Sequence, residues 1–183
     1  STSSRGLGDV YKRQSLKNPK ALYLCIMEIQ LLCIGKTDRT FWTSAVDDYA
    51  KRLKHYVKFS ILYLPNAKTK KKINHKEIKI EEAQLIAQKI KVEDVVYLLD
   101  EKGKSYTSTG FSKHIEQHMI SGTKRIVFVI GGAYGFSDQL YQKYPKLMCL
   151  SEMTFSHQMA RLFFCEQLYR AFTIINNHPY HNN

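Results

Sequence analysis

Cysteine is scarce in this chain of 183 residues, and its four copies never form a C-x-x-C pair. That scatter excludes a zinc ribbon and a disulfide framework, and it is typical of a reducing, cytoplasmic setting. The chain also lacks any apolar run of the roughly 20 residues that a membrane span needs. An apolar stretch at 21–26 is not followed by the small-residue cleavage site of a signal peptide. The sequence therefore predicts a cytoplasmic protein that does not enter a membrane.

Acidic residues are also few: 16 Asp and Glu stand against 28 Lys and Arg, which leaves a formal net charge of +12. Such an excess on a small protein favours an anionic partner, nucleic acid before membrane. The alternative is a solvated basic surface without a partner. The basic run at 68–72 carries the same two interpretations, an arm that contacts phosphates or a solvated linker.

The sequence lacks the combinations of side chains that several classes of enzyme use for catalysis or for ligand binding. His114 and His118 are spaced as H-x-E-x-H, which differs from the H-E-x-x-H motif of zinc proteases and has no third ligand in view. We therefore predict two surface histidines and no metal. No Ser-His-Asp set and no pair of catalytic carboxylates is assignable. The glycines at 131–135 match neither the dinucleotide fingerprint nor a phosphate loop.

Residues 1–26 show no usable periodicity and are small, polar and basic in composition. We exclude them from the fold and interpret them as a non-native extension upstream of a natural start at Met27, or, if native, as a disordered basic arm. The remaining residues, 27–183, are enough for one sizeable core and predict a single domain.

Apolar runs alternate with helical periodicity along this domain. Strands are predicted at 27–34, 57–64, 95–99, 124–130 and 146–150. A charged turn is predicted at 100–104. Helices are predicted at 38–56 with Phe41 inward, at 77–90, after a cap at Ser108 or Thr109, at 137–144 and at 157–175. This alternation indicates an α/β fold with a mainly parallel sheet and helices on both faces.

The last helix is apolar nearly all round, which a small domain cannot easily bury by itself. We therefore predict that a partner subunit covers part of it. Arg161, Glu166 and Arg170 interrupt this surface, and buried charges need partners or a function.

Three turns should meet at the carboxyl edge of the sheet, where ligands bind in open α/β folds. The first turn follows Leu99, the second begins at Gly131 after the fourth predicted strand, and the third begins at Leu150. We expect a pocket of backbone donors and apolar side chains that suits a flat heteroaromatic ring and lacks the cations a triphosphate needs; a packed loop cluster without a ligand is the alternative. Gly131 and Gly132 are expected to adopt glycine-like dihedrals where the backbone approaches the ligand.

Four ordered motifs carry a resemblance to a known family. They are IGGAYG at 130–135, LSEMTFSHQ at 150–158, EQLYRAF at 166–172 and HPYH at 178–181. From Met27 to the C-terminus, the chain closely resembles the RlmH methyltransferases of the SPOUT superfamily. The resemblance implies a homodimer with a C-terminal trefoil knot that binds S-adenosylmethionine. It also implies methylation of N3 of a pseudouridine in the helix 69 stem-loop of 23S ribosomal RNA, within the ribosome.

The resemblance implies a cofactor site built from eight residues: Leu99, Gly131, Leu150, Ser151, Glu152, Met153, Thr154 and Phe155. Arg170 and His181 are the candidates for orienting the RNA and handling the base, and Tyr180 is expected to stack on the target base. The tail that carries His181 is either frayed or reaches a neighbouring subunit. Ser156 stands where family members often have proline. A non-catalytic RNA-binding module remains the alternative function.

Overall fold

The computed structural model describes residues 27–37, 40–67 and 74–181. The predicted leader at 1–26 and the basic run at 68–72 lie outside the described residues. Ten elements follow one another along the chain. They are β1 (Glu28–Ile34), α1 (Thr40–Leu53), β2 (Lys58–Leu64), α2 (His75–Ala87), β3 (Val95–Ser105), α3 (Ser108–Ile120), β4 (Arg125–Ile130), α4 (Asp138–Lys143), β5 (Leu147–Cys149) and α5 (His157–Ile175).

The five strands form one parallel sheet in the order β2-β1-β4-β3-β5. In the sheet centre, Leu31 of β1 pairs with Ile61 on one side and with Phe128 of β4 on the other. Phe128 in turn pairs with Tyr97 of β3. The predicted parallel sheet with helices is confirmed, and its carboxyl edge collects the ends of all five strands.

Side chains of the central strands alternate between two apolar layers, because successive residues of a strand point to opposite faces. Ile126 and Phe128 enter a layer closed by α1, α3 and α5, while Val127 and Val129 enter a layer closed by α2 and α4. Both faces are therefore buried, which explains why β1 and β4 are continuous apolar runs.

Most helices begin at a side chain that accepts a backbone N–H, as expected for exposed helix ends. Asn74, Ser137 and Ser156 cap α2, α4 and α5. The cap predicted at Ser108 or Thr109 is wrong by a residue: Thr107 caps α3 and accepts the Gly110 N–H at 3.0 Å. Thr107 has the extended backbone that a cap requires, whereas Ser108 already lies in the helix.

The charged turn predicted at 100–104 is replaced by a longer strand. Leu99 and Lys104 both pair with Met148, so residues 100–103 bulge out between them while β3 continues to Ser105. A Cβ on Gly103 would lie 2.4 Å from the backbone nitrogen of Met148, which is too close for any side chain. The absence of a side chain thus lets the bulge lie directly against β5.

Two predictions about helix faces need correction. Phe41 was expected to point inward, but its side chain is 72% exposed at the first turn of α1. The last helix was predicted to leave part of its apolar surface to a partner subunit because a small domain could not bury it, but the chain itself buries most of that surface, since α5 packs between α1 and α3. Within the described part of α5, Phe163 is the one large apolar side chain that stays exposed, at 38%.

Across the described ranges, no helix combines the length and the apolar character needed to cross a lipid bilayer.

Candidate functional site

A cavity of about 480 Å³ opens at the carboxyl ends of β3, β4 and β5. Its walls come from the bulge after Leu99, the glycine turn at 131–135 and the segment at 150–155, with His157 and Ala160 of α5 closing one side. The three predicted turns therefore meet at the predicted edge. The volume lies within the range of small-molecule sites.

Seven of the eight residues predicted to contact a cofactor line this cavity: Leu99, Gly131, Leu150, Ser151, Met153, Thr154 and Phe155. Glu152 does not line it and is exposed. The segment is held by local hydrogen bonds, because the Ser151 hydroxyl accepts the Met153 N–H at 3.0 Å and the Cys149 thiol donates to the Ser151 carbonyl.

Charged groups around the cavity differ from the sequence expectation. Lys79 and Lys102 line it, so the prediction that cations are absent is wrong. Three carboxylates outnumber them: Asp100, Glu101 and Asp138. The Tyr141 hydroxyl donates to the Asp100 carboxylate at 2.6 Å. Burial and this carboxylate raise the pKa of Tyr141, which keeps the phenol protonated as a donor to Asp100.

At Gly131 and Gly132, neighbouring side chains leave no room for a Cβ, and this lack of space, rather than an unusual backbone conformation, explains the glycines. Among its glycines, only Gly135 has a positive φ, 73°, so the dihedral argument for Gly131 and Gly132 is wrong. A Cβ on Gly131 would lie 2.9 Å from the Phe136 ring, and one on Gly132 would lie 2.4 Å from the Glu82 carboxylate of α2.

The start of α5 borders the cavity. Ser156 caps this helix by accepting the Met159 N–H at 3.4 Å. Next to it, burial and the positive charge of Arg161 lower the pKa of His157. A neutral imidazole therefore faces the cavity at physiological pH.

The second group of predicted residues forms a cluster at the other end of α5, which we call the tail cluster and define as Tyr49, Glu166, Arg170, Tyr180 and His181. The Arg170 Nε and the Tyr180 hydroxyl both donate to Glu166 Oε1 at 3.1 Å. The guanidinium lies over the Tyr180 ring at 4.8 Å, and its Nη1 is 3.4 Å from His181 Nδ1.

The tail is therefore folded onto the helices and is not frayed. Tyr49 and Tyr180 share a hydrogen bond of 3.3 Å between their hydroxyls, and His178 Nδ1 lies 2.7 Å from the Tyr56 hydroxyl. Burial, the bond to Tyr49 and the Glu166 charge raise the pKa of Tyr180. One face of its ring is covered by Arg170, so the phenol is held in place as a neutral group.

The cavity and the tail cluster are separate from each other within the chain. None of Arg170, Tyr180 and His181 lines the cavity. Ala160 borders it, and Arg170 follows ten residues later on the same helix, which corresponds to about 15 Å along the helix axis.

The two histidines that we predicted to lie on the surface are in fact half-buried beside β3. The Tyr97 hydroxyl is 2.9 Å from His118 Nε2, and Thr123 Oγ1 is 3.0 Å from His118 Nδ1. Burial, His114 and Lys146 lower the pKa of His118 to about 4. Within the described residues, no three His, Cys, Asp or Glu side chains are arranged to hold a metal ion.

The sequence indicated a buried charge at Arg161 but did not indicate which part of the fold it contacts. The side chain is 2% exposed and closes the end of β1. Its Nη2 donates to the carbonyls of Ile34 at 2.7 Å and Gly35 at 2.9 Å, and its Nη1 donates to Thr37 Oγ1 at 2.9 Å. Arg161 therefore acts as a structural link between α5 and the carboxyl edge of the sheet.

Comparison with known proteins assigns a family to this arrangement. Residues 27–181 match the family model described as "Predicted SPOUT methyltransferase". Ribosomal RNA large subunit methyltransferase H of Christiangramia forsetii is 48% identical over 156 residues, 85% of this chain and 99% of that protein. The protein of the same name from Flavobacterium johnsoniae is 49% identical over the same shares. This chain belongs to the RlmH family of SPOUT methyltransferases.

The family match spans both the cavity and the tail cluster of this RlmH-family chain, because both lie within 27–181. Among solved structures, a probable methylase family protein from Haemophilus influenzae Rd KW20 aligns with a TM-score of 0.46 at 13% identity, over 87% of this chain and 72% of that one. The assignment rests on the sequence relatives alone.

Proposed function

We propose that this chain is an S-adenosylmethionine-dependent methyltransferase of ribosomal RNA that acts as a homodimer. Its substrate is N3 of a pseudouridine in the helix 69 stem-loop of 23S RNA, within the ribosome. The observation that carries the proposal is the cavity at the carboxyl ends of β3, β4 and β5 in a chain of the RlmH family. The net charge of +12 supports an RNA substrate.

The residues around the cavity fit this cofactor. Leu99, Ile130 and Phe155 supply apolar surface for a flat adenine ring, and the backbone at 131–135 and 150–155 supplies donors and acceptors for its edge. The excess of carboxylates suits a sulfonium cation and disfavours a triphosphate. When bound, S-adenosylmethionine supplies an electrophilic methyl group, a chemistry that requires no metal.

The tail cluster supplies groups that the acceptor base requires. N3 of the base must lose its proton before or during methylation, and an imidazole such as His181 is able to accept one. The Arg170 guanidinium stabilises the negative charge that develops on the base. Glu166 fixes the direction of Arg170 through the bond at 3.1 Å, which keeps the guanidinium ready before RNA arrives.

The separation of these groups from the cavity favours a site shared between two subunits. The tail cluster of one subunit then approaches the cavity of its partner, because α5 holds its own cluster about 15 Å along the helix axis from its own cavity. Exposed apolar side chains near the cavity support an interface there, since Met153 is 76% exposed and Phe163 stacks with Phe155 at 4.8 Å. The trefoil knot of the family belongs to the same proposal.

The dimer is directly testable. Light scattering coupled to size exclusion at micromolar concentration should give twice the mass of the chain, because Met153 and Phe163 otherwise remain in water. Phe163→Glu should shift the mass toward the monomer, whereas the exposed control Val92→Glu should not. A monomer mass for the native protein at this concentration contradicts the proposal.

Two measurements test the activity. Calorimetric titration with S-adenosylmethionine should give saturable binding with one site per chain; no heat of binding would leave the RNA-binding module as the better function. Mass mapping of modified nucleotides in 23S RNA should then locate one methyl group that is present only in cells expressing the chain. A methyl group at another nucleotide would retain the methyltransferase and contradict the substrate.

A further inference from the structure

Helix α2 carries a carboxylate in an unusual place. Glu82 is 6% exposed, although glutamate is seldom so buried unless it has a partner. Burial, together with the nearby charge of Glu81, raises the pKa of Glu82, and the hydrogen bond from the Gly132 backbone opposes that rise. Burial therefore disfavours the charge of Glu82, and the hydrogen bond from Gly132 offsets only part of that effect.

Glu82 and Gly132 fit each other closely. The Glu82 carboxylate lies directly against the backbone of Gly132, and a hydrogen bond from that backbone lowers the pKa of Glu82. A Cβ on Gly132 would lie 2.4 Å from Oε1 and 2.5 Å from Oε2, so the carboxylate occupies the space that any other residue at 132 would need. Gly132 itself lines the cavity, whereas Glu82 does not.

A second contact holds the same turn. The rings of His75 and Tyr134 stack with centroids 4.0 Å apart and planes 20° apart. His75, Lys79 and Glu82 are spaced four and three residues apart, so they lie along one stripe of α2. This stripe touches the glycine turn at both ends, and Lys79 between them lines the cavity.

We propose that Glu82 is a positioning residue for the cofactor, a role that rests on the proposed function. It accepts the Gly132 N–H from behind the glycine turn and so fixes the wall that contacts the cofactor. Glu82 does not line the cavity and touches no reacting atom. Its effect passes through the backbone of 131–133, which it holds in one conformation before the cofactor binds.

Two substitutions of Glu82 separate the effect of its acceptor oxygen from the effect of its charge. Glu82→Gln keeps a carbonyl oxygen for the Gly132 N–H and removes the charge. Glu82→Ala removes the acceptor and leaves that N–H unpaired, so the turn is free to shift. We expect the Kd for S-adenosylmethionine to stay within about twofold in Glu82→Gln and to rise by about tenfold or more in Glu82→Ala.

The experiment combines calorimetric Kd values with steady-state kinetics and melting temperatures on the full chain. Gln84→Ala is the control, since Gln84 is exposed on the same helix. KM for S-adenosylmethionine should rise in Glu82→Ala while kcat changes less. A native Kd in folded Glu82→Ala overturns the inference, and so does an equal loss in the Gln and Ala variants. Absence of binding by the native chain instead overturns the proposed function.

A double-mutant cycle gives an independent test of the same contact. Gly132→Ala alone should weaken cofactor binding, because its new methyl group meets the carboxylate. In the Glu82→Gly background the space is open, so Gly132→Ala should cost much less than it does in the native chain. Additive effects of the two substitutions would show that the contact does not control the turn.

Discussion

A chain that ends at Asn176 should lose RNA methylation by about a thousandfold, while its Kd for S-adenosylmethionine stays unchanged. The truncation removes Tyr180 and His181 and leaves Arg170 without two of its neighbours. The cavity keeps every wall, because the residues after 176 do not line it. Single-turnover methylation of RNA and calorimetry on the same protein measure the two quantities.

Because the tail is folded onto the helices, its removal should also lower the stability of the chain. Its bonds to Tyr56, Tyr49 and Glu166 are part of the structure, so the truncated chain should melt a few degrees lower, at about 1 kcal/mol or less for each hydrogen bond. His181→Ala should reproduce part of the loss of activity. His178→Ala is the matched control, because this histidine contacts Tyr56 outside the tail cluster. Full activity without the tail, or simultaneous loss of cofactor binding, contradicts the assigned role.

Replacement of Arg161 by leucine should give the largest loss of stability. The carbonyls of Ile34 and Gly35 would remain buried without their donor, and each unsatisfied buried acceptor costs about 1–3 kcal/mol. The melting temperature of a chain of this size should then fall by about 10 °C. Urea unfolding at a fixed protein concentration measures the change in free energy.

Two other variants show whether the guanidinium geometry matters. Arg161→Lys keeps the charge and can reach fewer acceptors, so its loss should be intermediate. Arg52→Ala removes an exposed arginine that pairs with Asp48, and its cost should stay below about 1 kcal/mol. A loss in Arg161→Leu no larger than that of Arg52→Ala would mean that other donors satisfy the two carbonyls.

Much of the fold was accessible from the sequence because its signals are local. The apolar run at 126–130 indicates a strand buried on both faces by composition alone, and the position of β4 inside the sheet agrees. The rule that ligands bind at the carboxyl edge then led to the glycine turn and to 150–155, which do line one cavity.

Other features depend on contacts that no local pattern contains. The burial of Glu82 is decided by the turn at Gly132, fifty residues later, and the burial of Arg161 by the end of β1. The helical spacing of His114 and His118 was visible, but their contact with Tyr97 required the packing of α3 on β3. The extension of β3 past Leu99 likewise needs its partner Met148. A charged residue within an apolar helix pattern was the one available sign of a buried charge. It pointed to Arg161 but not to Glu82.

The strand order has a consequence for how the nascent chain folds. β1 and β2 are neighbours and, among the described strands, β3 pairs with β4 and β5 alone, so β4 is the strand that joins the two halves of the sheet. During synthesis, β3 therefore waits without a partner until Ile130 has left the exit tunnel. At about 5–20 residues per second, α2 and β3 spend several seconds with apolar side chains uncovered. The last strand and α5 follow, so the cavity at the carboxyl edge is completed only after α5 has been synthesised.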